Sequence, residues 1–473
     1  MENVITNYRD KPWVRWIALG IVSFTMLCGY YLTDVMAPLK GLLEGQLKWS
    51  SSEYGFFTSA YGWFNVFLLM LLLGGIILDK MGVRFTGLGA TIIMVIGAGL
   101  KYWAVSTPEF FHGAVWMWGI KGQVIMAALG FAIFGVGIEV AGITVSKIIV
   151  KWFKGKELAL AMGLEMATAR MGTALALSIS LPIAKAFDNV SAPILVCLIM
   201  LCIGLIAFFI YTFMDKKLDK SQANYHLVNN IIDTEEEFKL SDIGRILTNK
   251  GWWYIAILCV LFYSSVFPFL KYAQDLMVNK FHVAPTLAGI IPGLLPFGTI
   301  LLTPFFGNLY DRKGKGANIM IIGSILIIIV HALFTIPIFN SWIFAIFLII
   351  LLGIGFSLVP SAMWPSVPKI IPEKQLGTAY SLIFLVQNVG LMLVPALIGW
   401  VLDKYCITGS TMVEGLKVNS YNYTLPMAIF TCFGLLALVF AFLLKAEDKK
   451  KGYGLQLPNI AKIAEKITEK TAG

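Results

Sequence analysis

Glu139 and Arg170 are the residues whose types and spacing carry the most chemistry in this 473-residue chain. Each sits inside a long apolar stretch, where an ionisable side chain costs roughly 2.5–3.5 kcal/mol on insertion scales and so points to function. Glu139 lies 13 residues before Trp152, and Arg170 lies 13 residues after Glu157, across the turn Trp152-Phe153-Lys154-Gly155-Lys156. At a 1.5 Å rise per residue, both stand about 20 Å from the same end of two consecutive antiparallel helices, so they are expected to face one cavity. A guanidinium that forks onto a carboxylate and a carboxylate that receives an ammonium suit a zwitterionic ligand. A mutual ion pair that only neutralises both charges is the alternative, and the sequence leaves it open.

Other candidates surround this pair. Asp34 ends the first apolar run after Tyr30, Tyr31 and Thr33; a gate at the outer end and plain interfacial exposure fit it equally. Glu165 precedes Arg170 by five residues, some 140° around a helix, so the two need not share a face. Lys271 and Asp275 are four apart and are read as a pair on one helix face. Tyr61, Tyr263 and Trp364 are candidates for the cavity wall, although aromatic residues in spans more often serve packing or the interfacial belt. His112, His226, His282 and His331 show no ligand spacing, so no metal, cofactor or histidine-based catalysis is expected. Five of the six cysteines lie in apolar runs and Cys406 in an expected loop, which gives no disulfide framework.

The elements that hold these residues follow from hydropathy. The chain is 58% hydrophobic and 14% charged, with a mean hydropathy of +0.79, so it needs lipid as its solvent. In lipid, continuous apolar runs of about 20 residues satisfy their backbone as helices. Spans are expected near 14–36, 53–78, 86–104, 122–150, 157–186, 192–214, 251–278, 284–308, 318–338, 341–368, 375–401 and 424–445. The formal charge of +10 is topological: most of the 37 Lys and Arg fall on segments that lie inside if both termini do. That distribution speaks for a membrane surface, not for a nucleic-acid partner.

The one long polar interruption, 215–250, is the expected cytoplasmic linker between six-span bundles at 1–214 and 251–446, with a tail at 447–473. In the linker, Thr234-Glu235-Glu236-Glu237 before Phe238 and Leu240 reads as a capping box or as a solvated connector. In the tail, Leu457, Ile460, Ile463 and Ile467 recur at helical spacing against Lys462, Lys466 and Lys470, which makes a basic surface helix or a solvated end. Truncation after Lys450 is expected to leave transport near normal.

The two bundles are internally related. Gly135-Val136-Gly137-Ile138-Glu139 recurs 218 positions on as Gly353-Ile354-Gly355-Phe356-Ser357, and the register continues through Arg170 with Asn388 and Gly172 with Gly390. The charge pair is thus an addition to one half. A second repeat follows spans two and eight, where Gly75-Ile76-Ile77-Leu78-Asp79-Lys80-Met81-Gly82-Val83-Arg84 matches Gly307-Asn308-Leu309-Tyr310-Asp311-Arg312-Lys313-Gly314-Lys315. This resembles the cytoplasmic signature of the major facilitator superfamily. The resemblance implies an all-α membrane protein of twelve helices in two pseudo-symmetric bundles, with gating at Asp79, Gly82, Arg84, Asp311 and Gly314.

A narrower resemblance rests on Phe134-Gly135-Val136-Gly137-Ile138-Glu139, on Trp152 to Leu158, Gly163-Leu164 and Ala169-Arg170-Met171-Gly172. It continues in Val266-Phe267-Pro268-Phe269, Met363-Trp364-Pro365, Pro372-Glu373, Gln375 to Tyr380 and Gln387-Asn388-Val389-Gly390. These residues resemble the lysosomal dipeptide uniporter family. The resemblance implies proton-independent dipeptide transport without enzymatic chemistry, with Glu139 and Arg170 on the peptide termini and Tyr30, Asp34, Tyr61, Asn65, Gln387 and Asn388 around them. Two departures are Glu165, where the family motif has glutamine, and Lys271, where it has glycine. A proton-coupled symporter or antiporter of another small organic ion is the alternative function. With no acidic dileucine signal at the N-terminus, a plasma membrane or bacterial inner membrane is expected over a lysosomal one. A monomer without an accessory subunit is expected in it.

Overall fold

The computed structural model describes residues 8–117, 119–153, 157–229, 240–372, 375–413 and 416–459. The turn residues Lys154, Gly155 and Lys156, Glu373, the capping-box stretch Thr234 to Phe238, and the tail residues Ile460, Ile463 and Ile467 lie outside the described residues.

The first half comprises α1 (Pro12–Asp34), α2 (Lys40–Leu47), α3 (Ser51–Ser59), α4 (Trp63–Phe67), α5 (Met70–Ser106), α6 (Pro108–Phe111), the hairpin β1 (Val115–Met117) and β2 (Ile120–Lys121), α7 (Gly122–Phe153), α8 (Leu158–Ala186) and α9 (Ala192–Asn229). The second half follows α10 (Leu240–Leu247). It holds α11 (Lys250–Phe281), α12 (Pro285–Ala288), α13 (Ile290–Lys313), α14 (Gly316–Thr335), α15 (Trp342–Ile370), α16 (Leu376–Tyr405), the hairpin β3 (Ile407–Val413) and β4 (Leu416–Tyr421), and α17 (Thr424–Lys451). Among the described residues, eleven helical stretches are long and apolar enough to cross a membrane.

The twelfth is the second span, which is broken. It runs through α3, a 3₁₀ turn at Ala60–Gly62 and α4, leaves the helix at Leu68, and resumes as α5 after Leu69 at φ +51°. α5 then continues through the third span across a non-helical Gly82. Gly82 thus separates the expected spans 53–78 and 86–104, and the unexpected feature is the break inside the first of them at Leu68 and Leu69. Val66-Phe67-Leu68-Leu69-Met70 holds neither Gly nor Pro, so no residue type marks the break.

The halves meet at the end that carries the two hairpins. There α3 packs along α16 and α8 along α13. At the opposite, terminal end the polar contacts among the described residues stay within a half. Arg15 clasps Glu157 at 2.8 Å, and Asp79 accepts from Lys147 at 3.1 Å. Arg84 and Lys151 converge on the buried Asp215 at 3.2 and 2.8 Å and on Asp219.

From Gly452 to Asn459 the chain beyond α17 is a docked strap. Leu455 is fully buried, and its amide bonds to Asp448 at 3.0 Å. Lys315 and Gly316 donate their amides to Gln456 and Leu455 at 2.9 Å each. Asn459 bonds to the Asp311 carboxylate at 2.7 Å, and Lys369 donates to the Leu457 carbonyl at 2.8 Å. Leu455 and Leu457 thus dock beside the motif from Gly307 to Lys315, which helical periodicity cannot reveal and which bears on the expectation that transport survives truncation after Lys450.

Candidate substrate site between the two halves

Two close approaches set the site. A Cβ on Gly172 would lie 2.3 Å from the Leu27 carbonyl, and one on Gly135 would lie 2.2 Å from the Tyr61 carbonyl. Only glycine lets α8 ride on α1 and α7 ride on the broken second span at these points. Arg170 is thereby carried to Tyr30, and Glu139, one turn beyond Gly135, to Tyr61.

Glu139 and Arg170 do not pair with each other. Tyr61 donates to Glu139 Oε1 at 2.7 Å, while the buried Asn388 of the second half donates its amide to the Phe384 carbonyl at 3.0 Å. The Arg170 guanidinium sits among three rings: Tyr30 at 5.7 Å, Phe267 at 5.5 Å and Phe356 at 5.4 Å. Tyr30 belongs to the first half and the two phenylalanines to the second, so Arg170 reaches across the interface. Ring faces attract a guanidinium but leave its N–H donors available for an anion. Glu165 is close enough to act on Arg170 electrostatically.

A pocket of about 660 Å³, counting the water at its mouth, lies between the halves. Of the residues expected at the site, Tyr30, Asp34, Tyr61, Glu139 and Gln387 line it. Gln387 also accepts from the Cys259 thiol at 3.5 Å.

Others stand behind the wall. Tyr263 stacks on Phe267 at 5.3 Å and accepts from the Trp364 indole at 3.2 Å, so the two brace a ring that holds Arg170. Asn65 is wholly buried and donates to the Gly135 carbonyl at 3.2 Å. Asn65, Tyr263 and Trp364 are thus corrected from wall to support, because a helix face seen in sequence does not say which neighbour it meets.

The pocket is sealed at the hairpin end by ions that cross the interface. Lys271 donates to Asp34 Oδ1 and to the Thr33 carbonyl, both at 2.6 Å, and Lys40 pairs with Asp275 at 3.0 Å. The expected pairing of Lys271 with Asp275 along one helix gives way to these two cross-bundle bridges. Closure of the halves brings opposite charges of α1 and the following turn closer than the i,i+4 neighbours are to each other.

Sequence reasoning missed Lys101. Its ammonium is fully buried and donates to the Leu32 carbonyl at 3.1 Å, over the rings of Phe131 at 4.6 Å and Phe57 at 5.2 Å. It fixes the stretch of α1 that presents Thr33 and Asp34. Its place within an apolar run near a span end was the available signal, and end-of-span lysines usually snorkel to water.

Of the residues expected to gate, Gly82 and Gly314 both have positive φ, at +75° and +65°. Asp79 and Arg84 join the terminal-end contacts of the first half, and Asp311 holds the strap.

Two related bundles around a central pocket, with charged seals at one end, define a multi-pass membrane transporter and not an enzyme. The chain belongs to the Major Facilitator Superfamily, whose model matches residues 19–395 and 267–463. It is 26% identical over 457 residues to the zebrafish (Danio rerio) lysosomal dipeptide transporter MFSD1, covering 94% of this chain and 89% of that protein. The human (Homo sapiens) MFSD1 is 26% identical over 404 residues, covering 82% and 80%. Among solved structures, the nucleoside transporter NupG superposes with a TM-score of 0.61 at 17% identity, over 92% of this chain and 98% of its own. A D-xylose-proton symporter superposes with a TM-score of 0.66 at 13% identity, over 90% and 97%.

Proposed function

We propose that this chain moves dipeptides by alternating access as a uniporter, with Arg170 receiving the peptide carboxylate and Glu139 the peptide amine. The observation that carries this reading is the separation of the two charges. Glu139 is half-buried against the Tyr61 phenol, and Arg170 is half-buried among rings with Glu165 close enough to act on it, so neither is neutralised by the other and each keeps capacity for a charged ligand group. Tyr30, Tyr61 and Gln387 line the pocket beside them, and the buried Asn388 supports it from behind. The size of the pocket suits a small molecule, and the similarity to MFSD1 favours a dipeptide.

In this reading both termini are cytoplasmic and the hairpins lie outside, so the structure is the inward-facing state. The bundles 1–214 and 251–446 rock about the site, the linker and tail stay on the inner surface, and the protein works as a monomer in a plasma or bacterial inner membrane. Asp34 serves as the outer gate, and Asp79, Gly82, Arg84, Asp311 and Gly314 serve the inner one.

Thermal-shift binding on purified protein tests the assignment. Arg170→Ala and Glu139→Gln should each cost about 2–5 kcal/mol of dipeptide binding, the range for truncating one partner of a buried charged pair. A C-terminally amidated dipeptide should bind the wild type weakly and lose little more in Arg170→Ala, and an N-acetylated one should behave likewise with Glu139→Gln. An unchanged ranking of blocked ligands in folded variants sinks the clamp. Flux that requires a proton gradient would replace uniport with proton coupling.

A further inference from the structure

The charged groups that line the pocket are Glu139, Asp34 and Lys271, and Lys271 is not used by the zwitterion clamp. Its position is fixed by α1. Arg170 lies over Tyr30, and Lys271 bonds to Asp34. Four residues of one helix separate Tyr30 from Asp34, on the same face and about 6 Å apart along the axis. Among the described residues Lys271 is the cation that lines the pocket, with Glu139 and Asp34 as its carboxylates, and Arg170 stands behind Tyr30, one turn of α1 away from the residue that Lys271 holds. Lys271 is held by α11 of the second half and Asp34 by α1 of the first, and their side chains are only 12% and 7% exposed.

We infer that Lys271 is a specificity residue for an acidic side chain on the first residue of the peptide, which it binds by exchanging Asp34 for the ligand carboxylate. The inference rests on the proposed seating of the peptide termini. A dipeptide spans at most about 7 Å of backbone. With its C-terminal carboxylate on Arg170 and its amine on Glu139, the second side chain starts beside Arg170. The first starts beside the amine and is directed towards the Asp34 level. A carboxylate there has the same charge and chemistry as the Asp34 group already on Lys271, so the exchange conserves the ion pair. It also frees Asp34 from the second half, which loosens the seal at the hairpin end. An acidic ligand thus weakens the closure that opposes its passage, and a neutral one leaves it intact.

Competition binding with Glu-Ala, Ala-Glu, Lys-Ala and Ala-Ala on the full-length protein in nanodiscs tests the inference. Because the exchange leaves Asp34 without its partner, wild type should bind Glu-Ala only a fewfold more tightly than Ala-Ala, with Ala-Glu near Ala-Ala and Lys-Ala weaker. Lys271→Gln should bring the Glu-Ala to Ala-Ala ratio towards one. Asp34→Asn should raise that ratio severalfold, because the internal competitor is gone; loss of a merely structural bridge would not move the two variants in opposite directions. A wild-type ratio near one, a preference for Ala-Glu, or a ratio that neither variant changes overturns the inference while the dipeptide reading stands. Failure of all four peptides to bind overturns the dipeptide reading itself.

Discussion

Asp403, at the hairpin end of α16, accepts the backbone amides of Ser51 at 2.9 Å and Ser52 at 2.5 Å, so a carboxylate of the second half caps the first turn of a helix in the first half. The free N–H groups and positive dipole end of a helix favour an anion there. Ser50 and Glu53 form a capping box on the same turn, so α3 itself does not depend on Asp403. The cross-bundle bond therefore contributes to closure and not to the helix. Asp403→Ala should destabilise the closed hairpin end by about 1–3 kcal/mol. A cysteine at the pocket residue Thr58 should then react severalfold faster with a membrane-impermeant maleimide added from the hairpin side. An unchanged rate would show that the cap adds nothing to closure.

The two ionic sites at the terminal end should separate stability from cycling. Asp215 is buried and holds Arg84 and Lys151, and breaking such a pair by removing one member costs about 3–5 kcal/mol. Asp79 pairs with Lys147 with both side chains about one-third exposed, where a pair contributes roughly 0–1 kcal/mol. Asp215→Asn should lower the melting temperature clearly. Asp79→Asn should keep it, keep equilibrium binding, and slow flux. Lost binding in a stable Asp79→Asn protein would contradict its assignment to the gate.

Removal of the strap should be felt, and removal of the residues beyond it should not. Truncation after Lys450 deletes the buried Leu455, a burial worth about 1.5–3 kcal/mol, and strips the partners of Asp311, Lys315 and Gly316. It should lower the melting temperature by several degrees and reduce flux in vesicles. Truncation after Asn459 should match the full chain in both. Equal behaviour of the two truncations would sever the strap from the second gate motif.

The hairpin β3–β4 offers a way to lock the closed end. Tyr421 bonds to Glu44 of α2 at 3.1 Å and, through its amide, to Asn279 of α11 at 2.8 Å, so it ties both halves. A Cβ on Gly45 would lie 2.9 Å from Leu416 Cβ, slightly inside the separation of about 3.8 Å usual for a disulfide. The double variant Gly45→Cys with Leu416→Cys should lose flux on oxidation and regain it on reduction, with either single variant insensitive. Full flux in the crosslinked protein would mean that this end need not open.

The sequence alone determined the membrane class and the two-fold repeat, and it singled out the main charges. Each follows from periodicity, length and residue type: apolar runs fix spans, the 218-residue offset pairs the halves, and Glu139 and Arg170 are ionisable residues inside apolar stretches. Residue types also marked the gate motifs, because their glycines and charges interrupt apolar runs. The choice of partners was decided only by the tertiary structure. Lys271 has Asp275 one turn away, yet bonds to Asp34, more than two hundred residues distant. Arg170 has a carboxylate on the next helix, yet rests among rings drawn from both halves. A helix fixes which side chains share a face, whereas the element opposite that face depends on how the bundles close. The strap from Leu455 to Asn459 eluded sequence for the same reason, because long-range contacts that leave no period in the chain hold it; the break at Leu68, whose neighbours Phe67 and Leu69 are exposed with it, is marked by no residue type.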